Sequence, residues 1–252
     1  MARSASLETS PWLPTYAWWP QPDELSLTVV LSTYHSTVEP EARFEGWLRG
    51  YAGSKDPLWE HEVGTFCYGD EVAVDLAGLG VSPPPSDHGG VLEVHVVRTD
   101  RTPRRDIEAL GMWVHAEGPE GGGYLIPTIP IRGQRKDMAR DDLQVFPGVM
   151  STRDTETEVV LLNPIDRTTE TWITVSSADG LVLEGDRFDI GPWSAWRGSL
   201  SNELPRAKQL LAQSSGIGSA AVYSSHKLLP YFGFRRNGSP LAAMDHGAPI
   251  FA

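Results

Sequence analysis

Near the end of the chain, Ser225, His226, Tyr231, Arg235, Asp245 and His246 lie close in sequence. Their types allow two chemistries. Neutral imidazole and carboxylate suit a divalent metal such as zinc, iron or manganese, so His226, Asp245 and His246 form a candidate metal set. Ser225 with a histidine and the aspartate is instead a nucleophile, base and orienter, whose test is geometry rather than chain order. Arg235 adds positive charge for an anionic ligand. The plainer reading is two solvated loop histidines and an ordinary aspartate.

Other chemistry is sparse. The sequence has no G-x-S-x-G elbow, no H-E-x-x-H and no P-loop. Gly216-Ile-Gly218-Ser-Ala-Ala221 spells a relaxed dinucleotide fingerprint, but it follows a helix and opens a strand, the reverse of the order that places pyrophosphate on a helix N-terminus. His35, His61, His88, His95 and His115 are scattered, with His95 and His115 in expected strands that can face one another. Cys67, the single cysteine, reads as a small buried apolar group and excludes an internal disulfide. Nine tryptophans are many for 252 residues. Trp47 and Trp113 sit in alternating strands and read as core, whereas Trp18, Trp19, Trp193 and Trp196 are candidates for an aromatic surface. Such a surface suits subunit contacts or a stacked sugar.

The elements that must position these groups are strands. Twenty-five Gly and 20 Pro punctuate short runs rich in Val, Ile, Leu and aromatics. A first set is expected at Leu25–Thr33, Ala42–Tyr51, Trp59–Phe66, Glu71–Leu76, Val91–Arg98, Ala109–His115 and Tyr124–Ile131. A second is expected at Glu158–Leu162, Glu170–Ser176, Asp186–Ile190, Trp196–Leu200, Ser219–Ser225, Tyr231–Arg236 and Pro240–Asp245. Asn237-Gly238 is a type I′ hairpin signal, which brings Tyr231 roughly opposite Asp245 with His226 at the same end. One helix is expected at Leu204–Gln213, with Asn202 as cap and Pro205 in its first turn.

The two sets read as one unit written twice. Val29-Val30-Leu31 corresponds to Val159-Val160-Leu161, Phe44–Tyr51 to Thr171–Ser176, and the Gly-led strand 90–98 to 218–225. The expected architecture is all-β: two tandem, similar antiparallel β-sandwiches, at 25–131 and 151–252, with one short helix in the second. Residues 1–24 form a Pro- and Trp-rich arm whose prolines keep it extended and out of a central strand. Residues 132–150 form a basic linker carrying Arg132, Arg135, Lys136 and Arg140.

Glu158 to Pro164, Thr171 to Val175, Phe188 to Pro192 and Trp196 to Leu200 share a strand-and-turn rhythm. It resembles the small bacterial β-sandwich modules with a V-x-L-x-N-P opening, among them the sensory rhodopsin transducer family. The resemblance implies a soluble, oligomeric binding or signalling module and transfers no individual site residue. In physical terms, Asn163-Pro164 ends a strand, the asparagine side chain satisfying the turn.

Composition narrows the partners. The chain is 40% hydrophobic and carries 21 Lys+Arg against 33 Asp+Glu, a net charge of −12. That acidity disfavours a general nucleic-acid binder. The sequence lacks the apolar run of roughly 20 residues that spans a bilayer and a signal-peptide core, so a cytoplasmic protein without membrane insertion is expected. The functional expectation is a non-catalytic binding or assembly module that self-associates and needs no cofactor. Its alternatives are a small-molecule enzyme with one divalent metal, and a carbohydrate-binding module.

Overall fold

In the computed structural model, the described residues are 14–32, 41–67, 69–99, 111–119, 121–130, 142–236, 241–246 and 248–249. They are organised as four sheets in which every pairing is antiparallel. With strands numbered along the chain, sheet I has the order β4 (Trp59–Cys67), β3 (Arg43–Tyr51), β6 (Gly90–Arg98), β1 (Thr15–Trp19), β9 (Ile129–Pro130). Sheet II has the order β5 (Glu71–Asp75), β2 (Ser26–Ser32), β7 (Gly111–Glu117), β8 (Gly123–Pro127).

Sheet III runs β13 (Val182–Glu184), β12 (Thr169–Ser177), β16 (Ile217–Ser224), β10 (Asp142–Met150), β19 (Ala248–Pro249), and β14 (Phe188–Ile190) also pairs with β12. Sheet IV runs β15 (Ser194–Ser199), β11 (Thr155–Asn163), β17 (Leu229–Arg236), β18 (Leu241–His246). The fold is all-β. Two short helices, α1 (Leu200–Glu203) and α2 (Ala207–Ala212), interrupt it.

The strand orders repeat. Sheets I and III match position for position, with β13 and β14 together in the place of β4, and sheets II and IV match likewise. Register agrees with order: Val30 pairs with Trp113 as Val160 pairs with Tyr231. Trp47 pairs with His95 as Trp172 pairs with Tyr223. Alternation gives each sheet an inner face. Val29, Leu31, Phe44, Leu48, Leu92, Val94, Val114 and Ile126 fill the space between sheets I and II. Val159, Leu161, Ile173, Val175, Val222 and Phe232 fill that between III and IV, closed at one end by Leu200, Leu204 and Leu211 of the helical segment.

Several expectations are corrected. Residues 15–19 are not an arm lying over a sheet but a fully buried strand of one, β1 pairing with β6 and β9. Pro14 and Pro20 bracket the segment and leave its own amides able to donate. Residues 142–150, assigned by sequence to the linker, form β10, which pairs with β16. The helix is shorter than expected and starts after Arg206. Pro205 excludes the preceding residue from helical geometry, and Leu204 sits at φ −129°, ψ 78°. The Asn237-Gly238 signal and the basic stretch 132–140 lie outside the described residues. Among the described residues no helix is long and apolar enough to cross a membrane.

Candidate interaction surfaces

Of the residues singled out at the C-terminal end, Tyr231 and Asp245 fall on opposite faces of sheet IV. A register shift between Phe234 and Arg235 moves the last strand by one residue, so Tyr231 lies opposite His246 and Asp245 opposite Phe232. A bulge of this kind is what a turn signal alone does not reveal. Tyr231 is fully buried and Asp245 is exposed. The Ser225 hydroxyl accepts from the Glu170 amide at 3.0 Å and lies 3.2 Å from His226 Nδ1, so it fastens the end of β16 to the start of β12. Among the described residues no three His, Cys, Asp or Glu side chains converge on a metal position. The His246 side chain lies outside them.

Arg235 is engaged in ion pairs. With Arg197, Glu24 and Glu158 it closes an ionic quartet between the two halves of the chain. Arg197 grips Glu24 through both terminal nitrogens, at 2.5 and 2.6 Å, and its Nε donates to Glu158 at 2.7 Å. Arg235 donates to Glu24 at 2.7 Å and through Nε to Glu158. Burial acts to raise the Glu24 pKa, but the Arg197 and Arg235 guanidiniums outweigh it and hold that carboxyl below its ordinary value. Sequence spacing gave no sign of this quartet, because its members are far apart along the chain.

Of the predicted aromatic surface, Trp18 and Trp193 lie at the same junction, while Trp19 meets Trp59 inside the first sandwich and Trp196 packs on Phe188 in the second. Trp18 and Trp19 are 2% and 4% exposed. The Arg197 guanidinium lies 5.0 Å over the Trp18 ring, whose Nε1 donates to the His88 carbonyl at 3.0 Å. His88 in turn stacks on Trp196. Trp193 stacks on Tyr51 at 4.6 Å and meets Tyr16 edge-on. Its φ of +50° is rare for a bulky residue. Val160, Leu162, Leu229, Tyr231 and Met244, on the outer face of sheet IV, join the core of the first half without a break. A second buried pair lies there as well: Glu93, 4% exposed, meets Arg49 at 2.7 Å and the Tyr51 hydroxyl at 3.4 Å. Burial pushes the Glu93 pKa up, against the pull of Arg49.

What remains open is sheet II. Its outer face carries Trp113, 38% exposed, and Leu125, 60% exposed, beside Val30 and Pro127. Trp113, expected in the core, faces solvent because Val114 and Ala116 take the inner positions of β7. A shallow groove of about 310 Å³ runs beside it, lined by His115, Glu117, Gly122, Gly123, Tyr124 and Leu125. His115 is exposed there, while His95 is buried in sheet I against Trp47, so the two histidines do not face each other. Cys67, expected to be buried, is exposed at the end of β4.

On the outer face of sheet III, Trp172 stacks on Tyr223 at 5.0 Å. Arg187 covers the indole at 4.3 Å and is anchored by Glu170 at 2.8 Å. Because β12 lies between β14 and β16, Arg187 and Tyr223 approach the indole from opposite sides.

No protein family matches the sequence, and no curated protein does. Among solved structures the chain is similar to a β-glucuronidase 2 of Bacteroides uniformis covalently bound to cyclophellitol-6-carboxylate aziridine, and to a Bacteroides uniformis β-glucuronidase. In each case identity is 12%, coverage is 96% of this chain and 27% of the other, and the TM-score is 0.21. The chain spans about a quarter of the length of those enzymes, and similarity this loose assigns neither fold nor activity.

Proposed function

We propose that the chain is a non-catalytic binding and assembly module that works in the cytoplasm as a homo-oligomer, the role implied by its resemblance to small bacterial β-sandwich modules. The observation that carries this reading is the pair Trp113 and Leu125, two large apolar side chains exposed on the outer face of sheet II. A tryptophan held on such a face is the residue type that anchors protein interfaces. The test is light scattering on the full chain across a wide concentration range: mass that rises with concentration supports the reading, and a monomer throughout refutes it.

A carbohydrate-binding module is the second reading, and Trp113 supports it too. An exposed indole beside a shallow groove is a stacking platform, whereas the four tryptophans chosen by sequence have their rings occupied, Trp18 and Trp193 at the junction, Trp19 against Trp59 and Trp196 against Phe188. Glycan-array binding that disappears in Trp113→Ala supports this alternative. An array without signal removes it.

A further inference from the structure

Duplication gives the open faces a meaning that a single sandwich would lack. Inside the chain, the outer face of sheet IV packs on the outer face of sheet I. Sheet II is the counterpart of sheet IV, and sheet III the counterpart of sheet I. Each half therefore owns both surfaces of the junction, and the chain uses one of each. We infer that the outer face of sheet II docks on the outer face of sheet III of a second copy, repeating the internal junction head to tail. The inference rests on the assembly reading above and names its surface.

Register identifies the matching residues. Trp113 stands where sheet IV has Tyr231, Val30 where it has Val160, and Leu125 where it has Met244. Tyr231, Val160 and Met244 are the side chains that sheet IV buries at the junction. On the receiving side, Val145 stands where sheet I has Tyr16, Ala221 where it has Glu93, and Thr174 where it has Arg49.

The substitutions are complementary. Sheet II presents two protruding apolar side chains, and sheet III answers with small residues between Val145 and the Trp172–Tyr223 stack. Most of the internal charges are missing from both faces, the exception being Glu117, which stands on sheet II where sheet IV has Arg235. Glu158 and Arg197 of sheet IV correspond to Thr28 and Ala73 of sheet II, and the Arg49–Glu93 pair corresponds to Thr174 and Ala221. The contact is thus apolar at its centre, with Glu117 and Asp75 toward the rim of sheet II, and its apolar centre is expected to hold in high salt. A joint between unlike faces does not close on itself at two copies, so it builds rings or filaments.

The experiment uses the full chain with one face blocked at a time, by Trp113→Glu/Leu125→Glu on sheet II or Ala221→Arg on sheet III. Unchanged circular dichroism and melting show that each variant folds, and Leu125→Glu alone serves if the double variant does not. Expected in light scattering are wild-type mass that grows past the dimer and holds in 1 M NaCl, self-association at least tenfold weaker in each variant, and a dimer and nothing larger when the two are mixed one to one. The mixture restores a single intact joint. If Ala221→Arg alone still dimerises, sheet II pairs with itself and the inference is overturned. Full assembly in both variants overturns this surface and leaves the assembly reading standing, while a monomeric wild type overturns both.

Discussion

The Tyr231 hydroxyl donates to the Tyr16 main-chain carbonyl at 2.9 Å, tying β17 in the second half to β1 in the first. Tyr231 is fully buried, so its phenol stays neutral; burial, then the nearby Tyr124, pushes its pKa up. Tyr231→Phe keeps the ring and loses the bond. The expected cost is about 1 kcal/mol in urea unfolding, the usual net worth of one such hydrogen bond. An unchanged midpoint would show that the bond contributes nothing.

Glu24 gives the junction a pH dependence of definite sign. Its carboxyl is held below its ordinary pKa in the folded chain because the arginines outweigh burial. Such a group contributes stability above the unfolded pKa and loses it as pH falls through the folded value. Unfolding free energy is therefore expected to drop on acidification below about pH 5. Glu24→Gln should flatten this acid limb and cost about 1–3 kcal/mol at neutral pH, since the two guanidiniums are then left to share the Glu158 carboxylate alone.

Glu93 predicts the opposite slope. Burial raises its pKa despite Arg49, so its contribution is present below the unfolded carboxylate value and is lost as pH rises through the folded one. Glu93→Gln removes that loss, and Arg49 retains Glu60 at 2.6 Å. The stability difference between variant and wild type should move in favour of glutamine as pH rises above the ordinary carboxylate range. Parallel pH profiles of unfolding for the two proteins would contradict this.

The contrast between these carboxylates shows what was legible in the sequence. Strand positions were, because alternation is local: β2, β3, β6, β12 and β16 lie within a residue or two of where Val, Ile and Trp spacing put them. So was the repeat, since Val29-Val30-Leu31 and Val159-Val160-Leu161 occupy matching registers. The interactions between halves were not. Glu24 finds Arg197 through the packing of sheet IV on sheet I, which no window of sequence encodes. Trp113 and Trp18 exchanged roles for the same reason: strand pattern says which residues share a face, while the packing of sheets decides which faces are covered.

Asn163 was expected to satisfy the turn after its strand, and the fully buried side chain does so more extensively than Asn-Pro alone requires. Its Nδ2 reaches the carbonyls of Arg167, Ile190 and Gly191 at 2.7, 3.0 and 2.8 Å, joining two loops. Asn163→Ala leaves those acceptors without this donor, at an expected cost of about 2–4 kcal/mol. Asn163→Asp should cost at least as much at neutral pH, because it replaces the donor with a buried charge. Chemical denaturation of both variants checks the order.

Gly89 and Gly53 separate backbone strain from steric conflict. Both are left-handed, with φ of +85° and +87°. A Cβ at Gly53 meets nothing within 4 Å, whereas at Gly89 it falls 2.4 Å from Trp18 Nε1 and 2.6 Å from the Trp19 carbonyl. Gly53→Ala is thus expected to cost only the conformational penalty, about 1–2 kcal/mol. Gly89→Ala must also displace Trp18 from the His88 carbonyl and from Arg197, so its cost should exceed that of Gly53→Ala by at least about 1 kcal/mol. It should also shift the tryptophan emission as the buried indole moves. Equal costs for the two substitutions would mean that the junction around Trp18 yields freely, and that Gly89 is required only for its backbone angle.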